Sequence, residues 1–405
     1  MHPKQFVWPG YARKHGKKGV RNKLLVVHTV ECSSHVARKI ASAVGNQAEV
    51  VGFAGCNDNA YAVRMLSALV RHPNVGAVLA VGLGCEYIQP EKLAEAAMEE
   101  GKEADWLFIQ DEGGTIKAIE KGAASARRML ATLGRAPRTD MGLADLVVGG
   151  ECGGSDFTSG LAGNVVAGRF FDLLVDAGGT AIFEEILEAI GLRDLLAARG
   201  ADAAARRSIG AACDKALAYC RIVRQYSISP GNFVGGLSTI EEKSMGAVIK
   251  SGSRPIQGVL KVGHAPPRPG LWLLDTVPDP HWMQHGIANP NDNEGLTALI
   301  ASGCHIVLFI TGRGNVVGNA VAPIIKVTGN SATFAAMPDD MDFDAGVTLS
   351  GETSQAETAA NLLRLVAATA GGLSTKSETL GHCEYYIPYK YQDANPRPCA
   401  CGRED

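Results

Sequence analysis

The chain offers little that would commit it to a nucleotide, a membrane or a nucleic acid. No Gly-x-Gly-x-x-Gly fingerprint follows the first apolar run and no Walker A sequence occurs, so a nucleotide cofactor is not indicated. The glycines between 314 and 318 are too loosely spaced to change that. No Gly-x-Ser-x-Gly elbow is present, which disfavours a serine hydrolase. Close Cys-x-x-Cys pairs are missing too, so a zinc ribbon has no local signal. Net charge is only −3 with no extended basic block, which excludes an obvious nucleic-acid surface. Apolar runs are short and broken by glycine, too short to span a bilayer. The basic N-terminus has no apolar segment behind it, so a secretory signal is not read. The expectation is a cytoplasmic protein with neither nucleic acid nor membrane as partner.

What is present is an ordinary globular composition, 46% hydrophobic and 20% charged, in 405 residues. That length allows two or three domains and a large core. The 48 glycines fall at the ends of apolar runs, where tight turns approach a ligand. Ten cysteines in a long chain without an export signal argue for free thiols rather than a disulfide framework.

The organising stretch is 147–185. An apolar run at 146–148 reaches a Gly-rich polar turn with Cys152, Ser155 and Asp156. A helical pattern follows over 159–176, then a second apolar run that ends on Glu184 and Glu185. In open α/β sheets ligands bind beyond the carboxyl ends of the strands, where these side chains would lie.

The same grammar runs along the chain. Strands are predicted at 23–30, 49–53, 75–81 and 104–109, each followed by a helical pattern. It returns after a basic linker at 135–139, with strands at 145–148 and 179–183. Further strands are predicted at 271–276, 305–312 and 322–329, and a late helix over 355–368. The alternation argues for an α/β fold with two doubly wound, Rossmann-like parallel-sheet modules and helices on both faces. The expected division is an irregular lead (1–22), a first module (23–140), a second module (141–390) with a helical insertion (186–226), and a loose tail (391–405). The insertion is expected to break near Gly200.

Cys32, Cys56, Cys85 and Cys152 each sit where an apolar run meets a polar turn. If the strands are neighbours, these thiols converge in one crevice and, with His28, Glu31, Glu86 or Asp156, form a mixed S/N/O metal site. An iron–sulfur cluster is less favoured because close cysteine spacing is absent. Cys399 and Cys401 are a weak metal lead in the tail. Acid–base candidates are His28, Glu86, Glu112, Glu184, Glu185, Asp275, Lys243 and His281. Gly113-Gly114, Gly153-Gly154 and the loop at 229–232 precede helical patterns and could present N–H groups to an anion.

Several segments together resemble one family. They are Gly19-Val20-Arg21-Asn22, Gly82-Leu83-Gly84-Cys85-Glu86, Asp111-Glu112-Gly113-Gly114, Cys152-Gly153-Gly154-Ser155-Asp156, Ser229-Pro230-Gly231-Asn232, Glu242-Lys243-Ser244, Thr311-Gly312-Arg313-Gly314 and Met337 to Asp342. The chain is similar over roughly 10–390 to the altronate and galactarate dehydratases, a family that includes the large subunit of (2R)-sulfolactate sulfo-lyase. The resemblance implies a lyase that eliminates a β-leaving group from a 2-hydroxy acid with ferrous iron, Mn2+ or Zn2+ being the alternatives. It also implies a small SAF-type domain. Since this chain starts almost at Gly19-Val20-Arg21-Asn22, that domain is expected as a separate small subunit, in a homo-oligomer of heterodimers.

Two departures tilt the expectation toward the sulfo-lyase. Cys56 lies in Gly55-Cys56-Asn57 rather than in a His-containing Gly-Cys-Gly segment, and the end reads Gly381-His382-Cys383-Glu384-Tyr385. A sugar-acid hydro-lyase and a non-catalytic acid-binding subunit are the rivals. On this reading the catalytic candidates are Lys243, Glu112, His28 and Glu184. Substrate contacts are assigned to Arg21, Asn22, Ser155, Asn232 and Arg313. The metal environment is assigned to Cys85, Glu86, Cys152 and Asp156, with Cys32 and Cys56 behind them.

Overall fold

The computed structural model describes residues 6–45, 47–57, 59–224, 226–280, 291–390 and 392. The strands are β1 (Val7–Ala12), β2 (Lys18–Gly19), β3 (Lys23–His28), β4 (Ala48–Gly52), β5 (Val75–Gly82), β6 (Glu103–Phe108) and β7 (Arg138–Gly142). They continue as β8 (Val147–Cys152), β9 (Thr180–Phe183), β10 (Ile256–Lys261), β11 (Gly270–Asp275), β12 (Ile306–Thr311), β13 (Ile324–Thr328) and β14 (Phe343–Asp344). Two parallel sheets result, β4-β3-β5-β6 and β10-β11-β9-β8-β12-β13-β14, which bears out the two-module α/β fold. Parallel strands buried on both faces need near-continuous apolar sequence, as in 24–27 and 306–310.

In the first module α1 (Glu31–Ser42) follows β3, α2 (Ala60–Arg71) follows β4, α3 (Pro90–Glu99) follows β5 and α4 (Thr115–Leu133) follows β6. In the second, α5 (Asn164–Asp176) joins β8 to β9, and α6 (Arg193–Ala198) and α7 (Ala203–Val223) form the insertion, interrupted at Gly200. Then come α8 (Pro230–Val234) and α9 (Ile240–Ile249), and α10 (Asp292–Ala301) leads into β12. One face of the large sheet packs Phe170, Phe171 and Ile209 against Val148, Leu308 and Ile310. The other packs Leu296, Leu299 and Ile300 of α10 against Ile182, Val307 and Phe309. That second core is continuous with Leu66 and Leu69 of the first module.

Three sequence expectations change. The lead is not irregular: β1 and β2 join β7, which begins in the expected linker and runs past it, in an antiparallel three-stranded sheet. Between the strands expected at 179–183 and 271–276 lies a further one, β10, paired parallel to β11. Most important, β8 runs through Gly149-Gly150-Glu151-Cys152, which reads as turn on composition. The glycines are there for packing: a Cβ on Gly150 would lie 2.8 Å from the Phe171 ring, and one on Gly149 3.0 Å from Cys304 Sγ. His281, Cys399 and Cys401 lie outside the described residues, as does the expected 391–405 tail apart from Gln392. No helix among the described residues is long and apolar enough to cross a membrane, and the eight described cysteines are free.

Candidate active site

In the large sheet β9 lies on one side of β8 and β12 on the other, so the strand order reverses there and a crevice opens at their carboxyl ends. Its wall is Cys152-Gly153-Gly154-Ser155 from β8, Thr311-Gly312-Arg313 from β12, and the Glu184–Glu188 turn after β9. Glycine is required where these walls meet: a Cβ on Gly153 would stand 2.1 Å from Asp292 Oδ2.

Cys152 is the hub. Its backbone N–H donates to Glu185 Oε1 at 2.6 Å, and its thiol lies 3.1 Å from Glu185 Oε2 and 3.1 Å from Lys250 Nζ. Lys250 also pairs with Glu185, both buried. Glu185 holds a left-handed backbone conformation, φ 71°, which turns its carboxylate back under the strand end. One turn on, Glu188 Oε1 accepts from Lys243 at 2.6 Å and from Ser227 Oγ at 3.0 Å, while its Oε2 has no partner. Among the described residues, one group of three thiol, carboxylate or imidazole donors is close enough to share an ion. It is Cys152, Glu185 and Glu188, whose donor atoms lie within 4.8 Å of one another.

Burial sets the proton affinities. It pushes the Cys152 thiol up, against the pull of Lys250. It raises Glu188 despite Lys243, and raises Asp292 with help from the Glu184 charge. Burial alone would lower Lys243, but the charge and hydrogen bond of Glu188, with Cys152 and Asp292, hold it above its usual value.

Above this cluster lies a polar cavity of about 380 Å3, lined by Cys152, Ser155, Glu188, Lys243, Asp292 and Arg313 among others. Arg313 is anchored through one N–H to Gly231 O at 2.8 Å. Its other N–H groups have no protein acceptor among the described residues. Asn232 and Asp156 serve the loops. Asn232 donates to Ser155 O at 2.9 Å and accepts from Ser229 N–H at 2.9 Å. Asp156 Oδ1 accepts from the Thr158 and Ser159 N–H groups and from Thr158 Oγ at 2.5 Å. Asp156 lines a neighbouring cavity together with Cys152.

The other expected residues lie elsewhere. Cys32, Cys56, Cys85 and Glu86 follow strands of the four-stranded sheet, and none of them lines the cavities around Cys152. The single crevice expected from cysteine placement is therefore divided between two sheets. Glu86 is a buried loop cap: its carboxylate accepts from Leu83, Gly84 and Cys85 N–H and from Thr29 Oγ1. His28 is enclosed between Val30 O and Tyr385 Oη, and burial lowers its proton affinity. Glu112 pairs with Lys121 in the first module.

Arg21 and Asn22 precede β3, at the opposite edge of the sheet from the strand ends. Every N–H of Arg21 is already taken, by Glu378 at 2.7 and 2.8 Å and by the carbonyls of Val20, Thr369 and Leu373. Asn22 bridges Arg13 and Leu133 O. Both are struts rather than anion contacts. Asp275 is bound to Lys215 at 2.6 Å.

Sequence reasoning missed Glu151, Glu188, Lys250, Asp292 and Glu294. Glu151 was hidden by its glycines. Lys250 and Asp292 sit at a helix end and a helix start, with nothing local to mark them.

Two sequence models of known domains cover both modules. The D-galactarate dehydratase/altronate hydrolase second domain matches 10–134, and the D-galactarate/altronate dehydratase C-terminal domain matches 143–392. Altronate dehydratase of Escherichia coli is 34% identical over 84% of this chain and 70% of its own. Its Bacillus subtilis counterpart is 33% identical over 84% and 68%. The (2R)-sulfolactate sulfo-lyase subunit beta of Chromohalobacter salexigens is 30% identical over 95% of this chain and 98% of its own. With a family domain matched across each module, the chain belongs to the galactarate/altronate dehydratase family and is a lyase.

Proposed function

We propose that this lyase carries out β-elimination on a small anionic 2-hydroxy acid, with (2R)-sulfolactate as substrate and pyruvate and sulfite as products. The observation that carries the reading is the cavity itself, with Lys243 and the unfilled N–H groups of Arg313 above a floor of thiol and carboxylates. The two cations suit a doubly charged acid, one binding its carboxylate and the other its second anionic group. Asp292, which has no lysine partner among the described residues, takes the C2 proton. The C3–S electron pair leaves with sulfite, which needs cations nearby more than a general acid, and the enol then tautomerises to the keto acid.

The C2 proton is weakly acidic, and its removal needs charge stabilisation in the transition state. One thiol and two carboxylates, with Glu188 Oε2 unpartnered, fit a transition metal. Cys152, Glu185 and Glu188 are thus the residues that would hold ferrous iron, with Mn2+ or Zn2+ as alternatives. When bound, such an ion would act as a Lewis acid toward the substrate's oxygens. Lys243 holds Glu188 in place, and Ser155 and Asn232 shape the loop. A small SAF-type subunit, a homo-oligomer of such heterodimers and a cytoplasmic setting belong to the same proposal. The relative's designation as a subunit beta supports a partner subunit.

A sugar-acid hydro-lyase is the second reading, favoured by the raised proton affinity of Asp292. A carboxyl group that stays protonated could deliver a proton to a departing hydroxyl. The deciding experiment supplies anaerobic iron and the small subunit. Sulfite release from sulfolactate without keto-acid formation from altronate or galactarate supports the first reading, and the reverse supports the second. Tight binding of both acids with turnover of neither would overturn the enzymatic reading of this site.

A further inference from the structure

Six carboxyl groups line a cavity of about 80 Å3 beneath the crevice: Glu151, Glu184, Glu185, Glu188, Asp292 and Glu294. Three of them have an ammonium partner: Glu185 with Lys250, Glu188 with Lys243 and Glu294 with Lys390. Glu151, Glu184 and Asp292 have none among the described residues. Within β8 the period of two along a strand sends neighbouring side chains to opposite faces. Cys152 faces α5 and α9. Glu151, one residue earlier, faces α10, and so does Glu184.

The approach of α10 to this pair is close. A Cβ on Gly295 would lie 2.5 Å from Glu151 Oε2 and 2.8 Å from Glu184 Oε1. Thr276 Oγ1 donates to Glu184 Oε2 at 2.8 Å. Glu151 is only 3% exposed, yet its Oε2 has no hydrogen-bond partner. No donor among the described residues reaches this oxygen and its side chain meets the Glu184 carboxyl, so a proton or a cation must lie between the two.

We infer that the α10 face carries a second cation site, separate from the Cys152 cluster, in which Glu151 and Glu184 hold a hard divalent ion of the Mg2+ or Mn2+ class. Oxygen-only donors select such ions, which are commonly held by one or two carboxylates and keep several waters. The cavity provides space for those waters, and the Asp292 charge adds to the attraction. The ion would fix the first turn of α10, and through it Asp292, against the catalytic crevice. The inference goes beyond the proposed reaction and needs no turnover to be tested.

Metal-stripped protein is titrated with Mn2+ by calorimetry and electron paramagnetic resonance, and separately with Co2+, whose thiolate complexes absorb strongly in the near ultraviolet. Mn2+ binding is expected to persist in Cys152→Ser, and the Gln variants are read in that background, free of any Mn2+ held by the thiol cluster. Glu151→Gln and Glu184→Gln, which keep side-chain shape, are each expected to lose roughly tenfold or more in Mn2+ affinity. The Co2+ thiolate band should persist in Glu151→Gln and vanish in Cys152→Ser. Unchanged melting temperatures of the metal-free Gln variants establish that they fold.

Mn2+ affinity unchanged in both Gln variants, or no Mn2+ binding by wild type, overturns the second site and leaves the two carboxyl groups sharing a proton. If the thiolate band survives in Glu151→Gln, that outcome leaves the proposed thiol-side metal untouched. A band absent from wild type counts against the proposed thiol-side metal and not against this inference.

Discussion

Cys152 Sγ and Lys250 Nζ lie 3.1 Å apart, both buried, with the Glu185 carboxylate against each of them. Among the described residues the lysine is the cationic side chain within hydrogen-bond reach of that pair, so the two side chains have separable roles. Lys250 neutralises the cluster, and Cys152 offers it a soft donor.

Lys250→Met should therefore be costly to the fold. Removing one partner of a buried ion pair leaves the other charge uncompensated, at about 3–5 kcal/mol. Cys152→Ser keeps the volume nearly constant and should cost about 1 kcal/mol, within the range of ordinary substitutions. Urea midpoints measure both. With that modest loss, Cys152→Ser should fold yet lose bound iron and turnover; full iron content with full activity would remove Cys152 from the site.

Arg21 gives the contrasting case. Its fork onto Glu378 and three carbonyls ties the start of β3 to the segment after the last long helix, Gln355–Ala370. Arg21→Met should lower stability by about 3 kcal/mol, because Glu378 is left largely buried and unpaired. KM for the acid should not move. A raised KM at unchanged stability would return Arg21 to the substrate.

These two residues show what could be read from the sequence and what could not. Cys152, Ser155 and Arg313 follow apolar runs, and the strand-end rule for α/β sheets brought them to one crevice, while Lys243 was singled out by its motif and the loops beside it. Arg21 and Asn22 sit in an equally distinctive segment, yet lie at the amino end of their strand and are used up in joining the modules. A motif reports that a position is special without saying whether the reason is chemical or architectural. Glu151 was lost for the opposite reason, because Gly149-Gly150 reads as a turn until Phe171 and Cys304 are seen packed against it. Lys250 and Asp292 reach the site only through the packing of α9 and α10, which no local pattern announces.

The module interface should weaken in acid. His305 Nδ1 accepts from Val147 N–H at 3.0 Å, and its Nε2–H donates to Lys18 O at 2.9 Å, so the ring is neutral. Protonation would set a second N–H against that of Val147. Burial lowers the imidazole to about 4, and the neighbouring His72 is lowered as well, by burial and by His305. Between about 6.5 and about 4 the unfolded chain takes up a proton that the folded chain refuses. Stability is then fully present above about 6.5 and falls with pH through that window, by up to about 3 kcal/mol for His305. Denaturant midpoints of wild type minus those of His305→Gln, taken from pH 7 to pH 4, isolate the effect. A difference that does not change with pH would refute it.

Asp292 decides between acid and base chemistry. Burial and the Glu184 charge raise its carboxyl above the ordinary value, while Lys243 and Lys250 pull it back. If it removes the C2 proton it must be ionised, so kcat/KM should rise with pH through that raised value and level off above it. If it donates to a leaving hydroxyl it must be protonated, and the same titration should appear as a falling limb. In either case Asp292→Asn should erase the limb and lower kcat by about 10²–10⁴. The direction of the wild-type limb, measured with sulfolactate and with altronate in parallel, separates a leaving group that needs no proton from one that does. A limb that persists in Asp292→Asn would move the proton transfer to another residue, with Glu188 next in the same cavity.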